Sequence, residues 1–330
     1  MRSRRRSGQT TKNELPITPI DAAPPEGSMR GRVIRAYGLF FDVRLQDEPR
    51  TLLSTVRGSV KRERRGTDLV AVGDWVWVRD IGEGDGQIDL IEPRVRALGR
   101  LARNTKDVEQ VIVANLDQVI FVFSWRDPEP HRRMLDRFLV LAESREIPPV
   151  IVINKIDLDP EGDLGSRAFF ADYLPLYPMH FVSVESGSGI EELRGVMTGK
   201  VSAIAGPSGV GKSTLLNRLD PDAVRQTGEI SGATGKGRHT TTAAIIYEIA
   251  PGTFVADTPG IRALALQGVP PEMLPECYRE FRPFLGECFY ADCTHIHEPG
   301  CAVLSARDAG DISLERWESY ASLRSGKTDD

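Results

Sequence analysis

Two short stretches of this chain carry residue types at spacings suited to a nucleotide. Gly206-Pro207-Ser208-Gly209-Val210-Gly211-Lys212-Ser213, with Thr214 behind it, follows G-x-x-x-x-G-K-[ST]. Glycines there let backbone N–H groups curl around phosphate oxygens, and a helix starting at the lysine turns its positive end toward them. Lys212 is expected to reach the β- and γ-phosphates, in a binding and a catalytic role, and Ser213 to ligate Mg2+. The second stretch, Asn154-Lys155-Ile156-Asp157, suits a guanine base. The Asp157 carboxylate can accept two hydrogen bonds, from guanine N1–H and N2–H2, and adenine offers no such pair. Ser183 and Val184 begin "SVESGSGI", a loop whose backbone would meet guanine O6. In "VADTPG", Asp257 could hold Mg2+ through water, and the Gly260 N–H could meet the γ-phosphate. An ATP-dependent phosphate-loop protein is the rival reading, and Asn154 and Asp157 argue against it.

A third constellation suits a metal. Cys288, Cys293, His295 and Cys301 are spaced C-x4-C-x-H-x5-C. Three thiolates and an imidazole make a closed tetrahedral set for a structural Zn2+, with no position left for a reactive water. His297 is a rival to His295, and Cys277 falls outside the spacing as a buried thiol.

Each stretch needs an element to hold it. "QVIFVFS", "PPVIVINK", "HFVSVES", "KVSAIAG", "AAIIYEIA" and "GTFVADT" read as strands. Between them lie helix signals: "EPHRRMLDRFLVLAESRE", with Met134, Leu135, Phe138, Leu139 and Ala142 at helical spacing, then "GIEELRGVM" and "KSTLLNRL". Apolar strands alternating with helices predict an α/β domain with a parallel sheet covered on both faces. The guanine tetrad, the phosphate loop and Asp257 then fall at strand ends, where such sheets bind ligands. Upstream, "GRVIRAYGLFFDVRL", "RTLLSTVRGSV", "DLVAVGDWVWVRD" and "GQIDLIEPR" are four strand candidates. Their spacing predicts a small all-β barrel of OB type, a fold that commonly binds nucleic acid. Trp75 and Trp77 alternate onto one face and are expected in its core.

The chain has 330 residues, which predicts two or three domains. No apolar run approaches the ~18 residues of a membrane span, and the basic start, "MRSRRRSGQT", has no apolar stretch behind it. A cytoplasmic protein without a membrane partner is expected. Net charge is −5, but residues 1–110 hold 21 Lys+Arg against 16 Asp+Glu. A basic front and an acidic rear suit a protein whose first part meets a polyanion, with Arg32 and Arg35 as phosphate contacts.

The order of the motifs is unusual. Guanine tetrad and guanine loop precede the phosphate loop, a Thr-rich stretch and D-x-x-G, a cyclic shift of the common GTPase order. With "GKGRHTTT" and the cysteine cluster, this arrangement resembles the circularly permuted, ribosome small-subunit-dependent GTPase A family over about residues 30–320. Residues 1–29, rich in Arg, Thr, Pro and Ala with few large apolar side chains, lie outside the resemblance and read as a disordered basic tail. The resemblance implies an OB-fold RNA-binding domain over 30–107, a permuted GTPase domain over 108–268 and a small, mostly helical zinc domain over 269–330. It implies hydrolysis of GTP to GDP and phosphate, stimulated by the small ribosomal subunit and its rRNA, in late subunit maturation by a monomeric protein. Its zinc ligands match Cys288, Cys293, His295 and Cys301. The residue after D-x-x-G is Ile261, where many GTPases carry a water-orienting Gln. The resemblance gives that role to His239, with RNA contact as the other use of an exposed histidine. One of Thr240, Thr241 and Thr242 should complete the Mg2+ shell, here taken as Thr241. A GTP-binding module with little turnover is the alternative that Ile261 leaves open.

Overall fold

The computed structural model describes residues 23–58, 70–101, 109–220, 245–257 and 269–326. Five strands come first: β1 (Met29–Tyr37), β2 (Phe40–Leu45), β3 (Thr51–Val56), β4 (Trp75–Gly82) and β5 (Asp85–Ile91). They pair in the order β1-β2-β3-β5-β4, and β4 returns to β1, so the barrel closes on itself. All pairs are antiparallel except β3 with β5. "GRVIRAYGLFFDVRL" is a hairpin and not one strand. Gly38, at φ 65°, adopts the left-handed backbone that its tight turn demands.

Val33, Val43, Leu45, Leu52, Val76, Val78, Ile88 and Ile91 fill the barrel. Trp75 and Trp77 are not among them, which corrects the expectation from sequence. Side chains alternate across a strand, and the narrow interior takes the β-branched Val76 and Val78, turning both indoles outward. The Trp75 ring lies under two guanidinium groups, Arg30 at 4.0 Å and Arg32 at 4.2 Å. Arg32 itself is only 9% exposed, wedged at the seam with the next domain, so it is no phosphate contact. Its burial lowers its pKa to about 10.

A two-stranded ribbon, β6 (Ala97–Leu101) with β7 (Glu109–Ala114), follows the barrel. Buried Arg94 grips Asp74 through two hydrogen bonds of 2.7 and 2.8 Å and fixes the ribbon's approach.

The α/β domain runs β8 (Gln118–Ser124), α1 (Arg132–Ser144), β9 (Pro149–Asn154), α2 (Leu164–Phe169), β10 (Met179–Phe181), α3 (Ile190–Met197), β11 (Val201–Ala205), α4 (Lys212–Leu219), β12 (Ile245–Ala250) and β13 (Thr253–Asp257). The strand order is β10-β9-β8-β11-β13-β12. Every pair is parallel except β12 with β13, which form a hairpin at the edge. All residues of β8, β9 and β11 are buried, as a sheet covered on both faces requires. Apolar clusters lie on the two sides of it, one around Phe121, Leu139 and Tyr173, the other around Val122, Leu193 and Leu215. At its edge β12 bridges to β1 through Ile245 and Arg35, so the barrel and the α/β domain share one eleven-stranded sheet.

The C-terminal part packs short 3-10 turns, α5 (Ala302–Ala309) and α6 (Leu314–Arg324) around Tyr278, Phe281 and Tyr320. Arg316 of α6 is 2% exposed and bonds Glu280 at 2.6 Å and Asp136 of α1. Tyr173 donates to the same Asp136 at 2.8 Å. The terminal unit is thereby bolted to the α/β domain by a buried ionic network.

Candidate guanine-nucleotide site and metal cluster

The phosphate loop leaves β11 at Gly206, where a Cβ would lie 2.1 Å from the Val122 carbonyl oxygen. Only glycine fits, and its φ of 147° agrees. Gly211, at φ 92°, is the second such point: a Cβ there would lie 2.5 Å from the Asn154 side-chain nitrogen. Lys212 opens α4 and donates to the Gly206 carbonyl at 2.9 Å and to that of Pro207. The loop is thus curled around its own lysine, with Val210 buried beneath it. Ser208, Gly209, Ser213 and Thr214 are exposed on the outer side, where a phosphate group would approach.

Asn154 closes β9 and is 2% exposed. Its carboxamide donates to the Val210 carbonyl at 2.9 Å and accepts from the Val184 N–H at 3.3 Å. One side chain therefore ties the phosphate loop to the loop beginning at Ser183. Lys155 reaches the phosphate loop as well, donating to Gly209 O at 3.0 Å. Ile156 and Asp157 lie in a 3-10 turn, and Asp157 Oδ1 accepts from the Ser183 hydroxyl at 2.5 Å. Oδ2 takes no hydrogen bond from the described residues. Asp157 thus keeps an acceptor for a donor from outside, beside the Ser183–Val184 backbone.

β13 carries Asp257 at its end, and the parallel pairing of Ala203 with Ala256 brings that end to the edge where the phosphate loop begins. His239, Thr241 and Gly260 lie outside the described residues. The tetrad, the Ser183–Val184 loop, the phosphate loop and the backbone of Asp257 occupy one edge of the sheet.

The four candidate metal ligands also meet, with ligand atoms all within 4.8 Å of one another. Cys288 Sγ and Cys301 Sγ are each 3.5 Å from His295 Nδ1 and 3.9 Å apart. A tetrahedral Zn2+ with bonds of about 2.3 Å to sulfur and about 2.0 Å to nitrogen needs ligand atoms roughly 3.5–3.8 Å apart. The donor set fits that ion. His297 is exposed and plays no part in the cluster. Burial pushes the Cys293 thiol up to about 12 and raises that of Cys301, so ionising the set calls for a cation in its midst. Cys277 is buried apart from the cluster, and burial pushes its thiol up to about 12.

Three residues that no spacing rule marks shape the cluster. The Glu298 carboxylate accepts from the N–H groups of Thr294 at 2.9 Å and of Ile296 and His297 at 3.2 Å. Burial alone would raise the Glu298 pKa, but these donors and the Thr294 hydroxyl outweigh it and hold the carboxyl well below its usual range. From α6, Trp317 donates to His295 O at 2.9 Å and Tyr320 to Thr294 O at 2.7 Å. His295 is thereby fixed at φ 60° with its ring turned inward.

A parallel sheet with the guanine tetrad upstream of the phosphate loop, behind an OB-type barrel, defines a circularly permuted GTPase. A profile of the family described as RsgA GTPase matches residues 91–267, and the chain belongs to that family. It is 44% identical over 301 residues to a protein of Gemmatimonas aurantiaca named small ribosomal subunit biogenesis GTPase RsgA, covering 90% of this chain and 97% of that one. A protein of the same name from Chlorobaculum tepidum is 43% identical over 304 residues, covering 90% and 97%. Among solved structures, YjeQ from Thermotoga maritima superimposes with a TM-score of 0.76 at 35% identity, covering 91% of this chain and 98% of that chain. YloQ, described as a circularly permuted GTPase, gives 0.73 at 26% identity, covering 93% and 98%.

Proposed function

We propose that this chain hydrolyses GTP to GDP and phosphate, is stimulated by the small ribosomal subunit, and acts in late maturation of that subunit in the cytoplasm as a monomer. The observation that carries the reading is the Asn154 carboxamide, which joins the phosphate loop to the guanine loop at 2.9 and 3.3 Å. A phosphate-loop protein indifferent to the base has no use for that tie. Asp157 would select guanine, with the Ser183–Val184 backbone at O6. The loop Gly206–Thr214, through its backbone N–H groups at every position but Pro207, and the Lys212 ammonium would hold the phosphates. Mg2+ would neutralise charge developing on the phosphate oxygens, held by Ser213 and Thr241 directly and by Asp257 through water. His239 would orient the attacking water in place of the Gln that Ile261 lacks. The Gly260 N–H would meet the γ-phosphate.

We assign residues 30–107 to the RNA-contacting barrel, 108–268 to the GTPase and 269–330 to a structural zinc domain, behind a basic tail of 1–29. Cys288, Cys293, His295 and Cys301 would hold that ion, which supplies folding energy and no reaction step. The name carried by the relatives supports the subunit as partner. Ile261 favours a second reading, a GTP-binding ribosome ligand with little turnover. GTP turnover titrated with purified small subunits separates the two. Stimulation that saturates with subunit concentration is expected, and a flat titration supports the second reading.

A further inference from the structure

Lys155 is held more firmly than its place in the tetrad requires. Its backbone is left-handed, at φ 63° and ψ 37°, a conformation that persists in a non-glycine residue where the surroundings over-determine it. Its ammonium donates to two main-chain carbonyls, Gly209 of the phosphate loop at 3.0 Å and Asp127. Asp127 belongs to neither motif. It lies in the turn between β8 and α1, and its φ of 46° is left-handed as well. That turn is anchored at its root. Ser124, the last residue of β8 and 1% exposed, donates its hydroxyl to Pro128 O at 2.6 Å. The Trp125 N–H donates to Asn154 O at 2.9 Å, stitching the turn to the residue before Lys155. On its other side the turn meets the phosphate loop, where a Cβ on Gly209 would lie 3.4 Å from Pro128 Cδ.

We infer that Ser124–Pro128 is a third wall of the nucleotide site and that Ser124 is a positioning residue for Lys155. The inference rests on the reading of Asn154–Asp157 as the guanine clamp. An ammonium held by two fixed acceptors spreads its four-carbon stem as an apolar surface on which a purine face can lie. Order that exists before binding is not lost on binding, so the platform favours affinity. Because the same ammonium also holds Gly209, the platform and the phosphate loop move as one piece. Ser124 touches no ligand itself; its hydroxyl faces Pro128 O.

Binding and release of a fluorescent GDP analogue by the full-length protein test this. Ser124→Ala is expected to weaken binding about tenfold, chiefly through faster release, with the melting temperature without nucleotide unchanged. In a Lys155→Ala background the same change should add nothing, because the contact it supports is already gone. Ser124→Thr keeps the donor and should restore affinity. Ser124→Cys keeps the side-chain shape at a slightly larger size, weakens the donor, should behave as Ser124→Ala does, and decides the matter if the alanine variant folds poorly. Additive losses in the double variant, or full affinity in Ser124→Ala and Ser124→Cys, overturn the positioning role and leave the guanine reading standing. A wild-type protein that binds GDP no better than ADP overturns the guanine reading and this inference with it.

Discussion

Asp157 is the residue on which the proposed base choice rests. With Ser183 on Oδ1, its remaining oxygen is the acceptor offered outward. Asp157→Asn should weaken GTP binding strongly and create binding of xanthosine triphosphate, since an amide donates where xanthine carries an oxygen; paired titrations with the two nucleotides check both halves. The role proposed for His239 is different, in the transition state and not in binding. His239→Ala should lower subunit-stimulated kcat by about two to three orders of magnitude, the loss typical of one positioned group, with affinity for GTP analogues little changed. Stimulated turnover that survives the change moves water orientation to another group. At this scale the phosphate loop and the tetrad can be read from sequence because their chemistry fixes residue type and spacing together. The Asp127 carbonyl on Lys155 cannot, since a main-chain acceptor leaves no mark on residue type. Glu298 is hidden for a related reason: its partners are backbone N–H groups, which any residue supplies.

Among the elements, α1 and α6 depend on each other through one cation. Arg316 is enclosed by Asp136, Glu280, Tyr173 and Tyr278. Its removal leaves two carboxylates in an enclosed space without their counter-ion. Arg316→Met should therefore cost about 3–5 kcal/mol, the usual loss on breaking a buried pair from one side, read as a shift in the denaturant midpoint. GDP affinity of the folded fraction should be near normal, because Asp136 lies in the body of α1 and away from the phosphate loop. Nothing in the sequence singles out Arg316 from the other arginines. The strands were easier. Continuous apolar runs marked β8, β9 and β11 because both faces of each are buried. The barrel strands were harder, since alternation alone does not say which face is inside. Trp75 and Trp77 satisfy the pattern of an inner face as well as Val76 and Val78 do, and only the width of the closed barrel decides between them.

For the molecule as a whole, the metal cluster is the clearest test of how its parts depend on one another. Cys301 both belongs to the cluster and caps α5, accepting from the Leu304 N–H at 3.4 Å. Native mass spectrometry should find one Zn2+ per chain. Cys301→Ser should lose it and unfold the terminal unit, detected as protease cleavage after residue 269, because binding and folding are one process in such sites. A metal-free wild type that resists protease would remove zinc from the account. The order of motifs along the chain announced the permutation, whereas the seam between barrel and GTPase was invisible. The bridge from Arg35 to Ile245 joins strands 210 positions apart, and no local pattern records it. The permutation itself reaches back to synthesis. β11 is seated between β8, made long before it, and β13, made after it. When a chain emerging from its own ribosome has made the tetrad, the central seat of the sheet is still empty, and Asn154 and Lys155 lack the Val210 and Gly209 carbonyls that they bond. Domains fold as units, so this one must wait, its base-binding residues made and their partners in the phosphate loop not yet made, until nearly all of it has been translated.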